Sequence, residues 1–412
     1  MAVKNSASVA AARSQRILVF GNTNNFPNLL ADGLRNLGHF VIQVISRTDL
    51  LHRPEGRSPA LHDNYPEWII DRSSLRDEDY AWQTPALFEM LSELQAHDYD
   101  MAILNDLGPS LAEWLPVPTA VLLTGSDLTS YASYDLLRSR TMNWAPSFRQ
   151  SLMGRELLDR YAGLVTRQRR ALLSADLVSF AYAGLIPEGD RLLDEIGVQP
   201  EQRFMLQMAD TIQLSATPLP PGDRLKIISG CRTTWRGGEG SGLTSQDLKG
   251  TDILLRGYAL YRQRGGNARL SLVRKGVDVQ ATNDLIKDLG LARKVTWLKE
   301  MTLDEYRAVV AHSHIVCDQL ANSCPGMVTL DALAQGRPVL ANFRPDIFGR
   351  YQNEPYPGLQ ASSPEEVCEQ LQWADGDRDG LAELGRQSRA YAETVLSPQR
   401  AAASLVRKLI GE

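Results

Sequence analysis

Three stretches of this chain bring together residue types that can do chemistry. In "SCPGMVTLDALAQGRPVLA" (323–341), Pro325 and Gly326 stand at the mouth of an apolar helical run, and a lone carboxylate, Asp331, follows six residues after the proline. The amides and positive dipole end of a helix start favour an anion. Proline is tolerated in a first turn because its missing N–H would be unpaired anyway, and glycine lets backbone approach a ligand closely. In "CRTTWRGGEGSGLTSQDLKG" (231–250), two cations, Arg232 and Lys249, flank a glycine-rich loop, "GGEGSG" (237–242), that lacks the Gly-Lys-Ser/Thr ending of a P-loop. In "TAVLLTGSDL" (119–128), an apolar run ends on Thr124, Gly125, Ser126 and Asp127. Asp127 there either touches a ligand or caps the helix that follows.

Weaker signals surround these. "GNTNNF" (21–26) fails the GxGxxG dinucleotide pattern, which leaves a nicotinamide dehydrogenase little support. Gly21 and Asn22 follow the first strand and can still face a cleft. "HSHIVC" places His312, His314 and Cys317 together, but no second ligand pair exists elsewhere, so the cluster reads as structural and no metal site is expected. "VTRQRRALLS" (165–174), with Arg138 and Arg140 upstream, forms a basic helical patch: a solvated face, or one that meets an anionic lipid surface or a phosphorylated acceptor. Tyr65, Trp68, Tyr80 and Trp82 fall in a long irregular stretch (46–85), where rings can stack on an acceptor.

Elements of a definite kind must position these groups. Apolar runs at 16–20, 40–45, 100–105, 119–124 and 177–182, then at 225–229, 269–273, 294–298, 314–318 and 338–342, read as strands. They are continuous rather than alternating, with amphipathic segments between them such as 28–37, 86–96, 251–263, 281–290 and 303–311. That pattern belongs to parallel sheets covered on both faces, and two such sets imply two doubly wound domains. The division expected is a frayed terminus at 1–15, a first domain at 16–213, a Pro-rich linker "LSATPLPPGD" at 214–223, a second domain at 224–397, and a last helix at 398–412 that packs back across the seam. Ligands of open α/β sheets bind at the carboxyl ends of the strands, so a cleft between the domains is the expected site.

Bulk properties agree. At 412 residues the chain exceeds one ordinary core, and 43% hydrophobic with 23% charged residues marks a globular protein. A net charge of −5 argues against a dedicated nucleic-acid binder. Four cysteines without CxxC spacing, and no run long enough to span a membrane, fit a cytoplasmic protein with reduced thiols.

The order "IISGCRTTW", "LKGTDILLRGYALYR", "KDLGLARKVTWLKEMTLDEYRAVVAHSHIVCDQL" and then the 323–341 stretch resembles the nucleotide-sugar domain of retaining, family-4-like glycosyltransferases of GT-B architecture, over roughly 225–345. The resemblance implies a glycosyltransferase that moves a sugar from a nucleoside-diphosphate sugar to an acceptor hydroxyl with retention, the sugar nucleotide being co-substrate and no cofactor being needed. It implies Arg232 and Lys249 on the diphosphate and a donor-binding loop of Cys324, Pro325, Gly326, Met327 and Val328, whose backbone N–H groups, the proline's apart, donate to it. It further implies Asp331 on the ribose, Trp297 near the base, and Gly21 near the donor. Asp127 takes the place of the aspartate in the family's His-Gly-x-Asp, with Thr124 where the histidine stands. Ser323 replaces the first of two family glutamates eight positions apart. Acceptor contacts are expected from Asn22, Tyr65, Trp68 and Trp82, with a carbohydrate, lipid-linked or natural-product acceptor. A sugar-nucleotide epimerase and a non-catalytic sugar-nucleotide-binding subunit are the rival readings.

Overall fold

The computed structural model describes residues 13–62, 64–237, 245–321 and 325–411. Cys324, Ser323, the 1–12 terminus and most of the 237–242 loop lie outside them. In the first half, strands β1 (Arg16–Phe20), β2 (Phe40–Ile45), β3 (Ile69–Asp71), β4 (Met101–Leu104), β5 (Thr119–Leu122), β6 (Leu177–Ser179) and β7 (Arg203–Phe204) form one sheet in the order β3-β2-β1-β4-β5-β6-β7. In the second half, β8 (Lys226–Ser229), β9 (Arg269–Val273), β10 (Val295–Leu298), β11 (Ile315–Cys317), β12 (Val339–Ala341) and β13 (Leu359–Gln360) form another in the order β10-β9-β8-β11-β12-β13. Every pairing is parallel.

The central strands are buried almost from end to end, as their unbroken apolar runs require. Along β1, Ile17 and Val19 enter one core with the Phe26–Asn36 helix, while Leu18 and Phe20 enter another with the Pro85–Gln95 helix. Strands β3, β7 and β13, of three, two and two residues, carry no apolar run of their own. The 46–85 stretch is correspondingly not irregular: it holds 3-10 turns at Pro54–Gly56 and Pro59–Leu61, strand β3, and the Asp77–Trp82 helix.

The Pro398–Ile410 helix sends Ala401, Ala402, Leu405, Val406 and Leu409 into the core of the first sheet, so the chain ends on the half in which it began. Residues 214–223 are tied down along their length. Arg389 donates to Leu214 O at 2.6 Å, and the fully buried Arg337 donates to Pro218 O at 3.0 Å. Between the halves, Tyr182 stacks on Tyr351 with centroids 4.2 Å apart, and Tyr356 Oη donates to Gln207 at 2.6 Å.

A candidate two-sided active site

The carboxyl end of the second sheet gathers three loops. After β8, Gly230 passes so close to the Tyr306 hydroxyl that no Cβ fits. The next residues are fastened sideways: Thr233 N donates to Lys275 O at 2.6 Å, and the Trp235 and Arg236 amides donate to Asp278 at 2.7 and 2.9 Å. Lys249 donates its amide to Thr234 O at 2.7 Å, and its carbonyl accepts from Leu320 N at 3.1 Å. Gly250 must follow, because its φ is +72° and a Cβ would lie 2.6 Å from Ala321 N. These restraints bring Arg232 and Lys249, seventeen positions apart in sequence, to one sheet end.

Their environments differ. The Arg232 side chain is 55% exposed, with Asp247 at 3.9 Å. The Lys249 Nζ reaches Gln319 Oε1 at 2.9 Å, and burial pushes its pKa down, with Arg232 acting in the same direction against Cys231 and Asp318. Tyr306 is also pushed up by burial, and its hydroxyl has no partner among the described residues.

Asp318 and Gln319, which sequence reasoning missed, organise this end. Asp318 accepts from Cys231 Sγ at 2.8 Å, from the Gly326 and Thr329 amides at 3.1 Å each, and from Thr329 Oγ1 at 2.5 Å. The helix Met327–Ala334 therefore starts on an internal carboxylate, and the Gly326 amide offered for a donor is already engaged. A Cβ at Gly326 would lie 2.8 Å from the Gln319 side-chain nitrogen, so a larger residue there would have to displace that side chain. The signal was "CDQL", a polar pair directly after a buried strand.

Asp331 is already half engaged by the protein. Its side chain is 5% exposed, and its Oδ2 accepts from Arg307 Nε at 3.2 Å. Arg307 also meets Asp210 at 3.1 Å, and Asp210 meets Arg57 at 3.0 Å. Asp210 and Arg57 belong to the first half, so Asp331 ends a buried ionic chain across the seam. Only its Oδ1 is left without a partner among the described residues. Burial pushes the Asp331 pKa up, against the pull of Arg307. Met327 and Val328 pack their side chains against the core shared by both halves. Trp297, half-buried, donates its Nε1 to Asn283 on the Val279–Asp288 helix at 2.7 Å.

The carboxyl end of the first sheet is sealed where the sequence suggested contacts. Asp127, 1% exposed, accepts from the amides of Thr124 (2.8 Å), Gly125 (2.8 Å) and Leu128 (3.1 Å), and from Thr124 Oγ1 (3.0 Å) and Asn105 Nδ2 (2.9 Å). It clamps the turn, and its lone pairs are taken up by these donors, which favours the capping alternative over a ligand contact; burial pushes its pKa up to about 6 against those donors. Gly21 has φ +96°, and a Cβ there would sit 2.8 Å from Asn105 O, so the fold rather than a donor requires it. Asn22 is fully buried, accepting from Ser46 N and Arg47 N at 3.0 and 2.9 Å and donating to His52 O at 2.8 Å.

The aromatic trio does not converge. Tyr65 bonds to Glu55 and accepts from Arg53 at 2.7 Å. Trp68 and Trp82 pack against different cores on opposite faces of the sheet, Trp68 under Arg35 (4.5 Å) and Trp82 against Tyr161 (5.8 Å). What opens instead, beyond β2 and β3, is a cavity of about 650 Å³ lined by Ser46, Arg47, Thr48, residues 73–78 and Tyr161. It lies inside the stretch assigned to the acceptor, with hydroxyls and arginines where rings were expected. Arg47 is anchored there by Asp106 and donates to Tyr131 Oη at 3.2 Å. A second cavity of about 200 Å³ lies at the amino ends, beside Thr119 and Asp176, the wrong end for a ligand of this fold class.

Histidine and cysteine serve the fold. His314 Nδ1 accepts from Lys226 N at 3.1 Å, and His312 Nδ1 lies 2.8 Å from Ala308 O. Among the described residues no three His, Cys, Asp or Glu side chains gather as a metal would require.

No family model matches the chain. D-inositol 3-phosphate glycosyltransferase of Nocardia farcinica is 27% identical over 232 residues, half of each chain, so the chain spans about half the length of the curated relative it matches. Among solved structures, HepE of Anabaena, crystallised with UDP and glucose, aligns over 97% of this chain and 100% of its own with a TM-score of 0.59 at 14% identity. Sucrose-phosphate synthase of Thermosynechococcus elongatus aligns over 96% and 99%, with a TM-score of 0.59 at 14% identity. WaaG, a glycosyltransferase involved in lipopolysaccharide biosynthesis, aligns over 94% and 98%, with a TM-score of 0.53 at 14% identity. The sequence-based fold class is thus the observed one: GT-B architecture, with two parallel α/β sheets. No described helix is long and apolar enough to cross a membrane.

Proposed function

We propose that the chain is a glycosyltransferase that takes a sugar from a nucleoside-diphosphate donor at the second sheet and passes it, with retention, to an acceptor hydroxyl at the first. The observation that carries this reading is the convergence of Arg232 and Lys249, from separate loops, on one sheet end. Breaking a glycosyl–phosphate bond builds negative charge on the leaving diphosphate, and fixed cations there stabilise the transition state more than the ground state. Burial makes Lys249's charge costly until an anion arrives, so the site favours a ligand carrying diphosphate. HepE, with the same fold, was crystallised with UDP and glucose, which makes a uridine donor the first to try.

The departing phosphate itself can take the acceptor's proton, so the reaction proceeds without Asp127. Ribose falls to the uncommitted Oδ1 of Asp331, reached only when the Arg57 and Asp210 side of the ionic chain moves away. The cavity beside Arg47 and Arg76 holds the acceptor, its hydroxyl, guanidinium and carboxylate groups (Asp77 and Glu78) suiting a polyhydroxylated molecule. The reading calls for no cofactor and places the reaction in the cytoplasm. The test is a melting-temperature panel with UDP, GDP, ADP and TDP, free and as sugar conjugates. A true donor at a hundredfold its Kd adds about 2.7 kcal/mol of stability. Silence across the panel defeats the reading. Stabilisation without transfer or hydrolysis leaves a binding subunit, and interconversion of the sugar without an acceptor an epimerase.

A further inference from the structure

One region of the first half takes no part in either sheet end. The helix Pro146–Gln150 leads directly into the 23-residue helix Leu152–Ser174 and packs on it, and the helix Tyr134–Met142 packs along it, Tyr134 Oη lying 2.7 Å from Thr166 Oγ1. There Leu152 is 87% exposed, Met153 70% and Met142 61%; among the described residues Leu152 is the most exposed large apolar side chain. The exposure is built in. Ser151 caps the long helix, its Oγ accepting from Gly154 N at 3.0 Å, and Gly154 lies against the Phe148 carbonyl where no Cβ fits. Trp144 and Phe148 meet edge to face at 5.4 Å and brace the turn. Leu152 and Met153 are therefore held outward.

Arginines surround them. Arg149 Nη1 lies 2.8 Å from Met142 Sδ, Arg138 is one helical turn before Met142, and Arg155 is one turn after Leu152. Together with Arg140, none of these four is in an ion pair among the described residues. The acids of 134–160 are Asp135, Glu156 and Asp159 against five arginines, and Glu156 pairs with Arg160 at 3.5 Å, so the segment stays positive in a chain whose net charge is −5. An apolar apex rimmed by arginine is what an interfacial lipid contact needs: side chains enter the headgroup–acyl boundary while guanidiniums meet phosphates.

We propose that this face docks the protein on an anionic lipid bilayer. Tyr161 follows on the same long helix and lines the large cavity, and Arg140 is close enough to hold down the Tyr161 pKa against its burial. An acceptor anchored in that bilayer thereby reaches the cavity; this last consequence rests on the sugar-transfer reading, whereas the docking does not.

The test is co-sedimentation of the full chain with vesicles of phosphatidylcholine alone or with about a third phosphatidylglycerol. Binding is expected only to the anionic vesicles and to fall with added salt. Arg138→Gln and Arg155→Gln each weaken it by about fivefold, and the double variant Leu152→Ser/Met153→Ser reduces it at least as much, all with unchanged melting temperatures. Equal binding to both vesicles, no binding to either, or variants that bind like the parent overturn the proposal. So does a lipid-free oligomer that Leu152→Ser/Met153→Ser dissolves, which assigns the patch to a second copy of the chain. Because the nucleotide panel is read without lipid, failure of the transfer reading and failure of the docking are separable.

Discussion

The two sheets end in opposite ways. At the second, two cations stand where a ligand can meet them, one half-exposed and one held through a glutamine, while a carboxylate, Asp318, steadies the loops from below. At the first, the charged and amide groups nearest the strand ends are consumed: Asp127 holds the turn after β5, and Asn22 the loop after β2. The opening there is displaced to one side, beyond the edge strand β3. A polar side chain at a strand's carboxyl end serves a ligand only after the local backbone's demand for partners has been met. In the second half glycines meet the crowding and leave the cations over; in the first half the side chains themselves meet it.

The contrast can be broken by experiment. The largest effect is expected from Lys249→Met, which should lower kcat by about 10²–10³ while leaving stability intact or raised, since it removes a costly buried ammonium. An unchanged kcat would place the chemistry elsewhere. Asp127→Asn should do the reverse. Its amide would turn a donor toward the Thr124 and Asn105 donors and cost about 1–3 kcal/mol in urea unfolding, with KM for donor unmoved. A kcat loss without destabilisation would put Asp127 in the reaction. The smallest effect concerns pH at the amino end of the second sheet. Burial, aided by Arg378 and Lys226, pushes His314 down to about 4 from the ordinary 6.5. The unfolded chain takes its proton first as pH falls, so stability is lost between about 6.5 and 4. His314→Asn, whose Oδ1 can accept from Lys226 N, should flatten that part of the Tm–pH curve; an identical curve would assign the slope to other groups.

Much of the architecture was legible because burial on both faces writes itself as apolar runs: β1, β2 and β9 coincide with the runs read at 16–20, 40–45 and 269–273. The edge strands β3, β7 and β13 were not, since their backbone bonds to a neighbour need no apolar side chain. Within the site, Arg232 and Lys249 were readable from motif order. Asp331 was placed correctly on its helix but its protein partner was not read, because Arg307, Asp210 and Arg57 converge from sequence positions up to 274 residues away, a pairing no local pattern carries. Trp68 and Trp82 failed for a simpler reason: spacing along a chain does not say on which face of a sheet each residue falls.

The chain Arg57–Asp210–Arg307–Asp331 has a thermal consequence. Hydration of charged groups weakens on heating, so keeping these four side chains out of water becomes less unfavourable as temperature rises, while apolar contacts gain little. The ionic part of the seam between the halves therefore tightens with warmth and loosens in the cold, when water competes best for the guanidiniums and carboxylates. Ease of opening is set in part by the hydration of four side chains rather than by the area the two halves share.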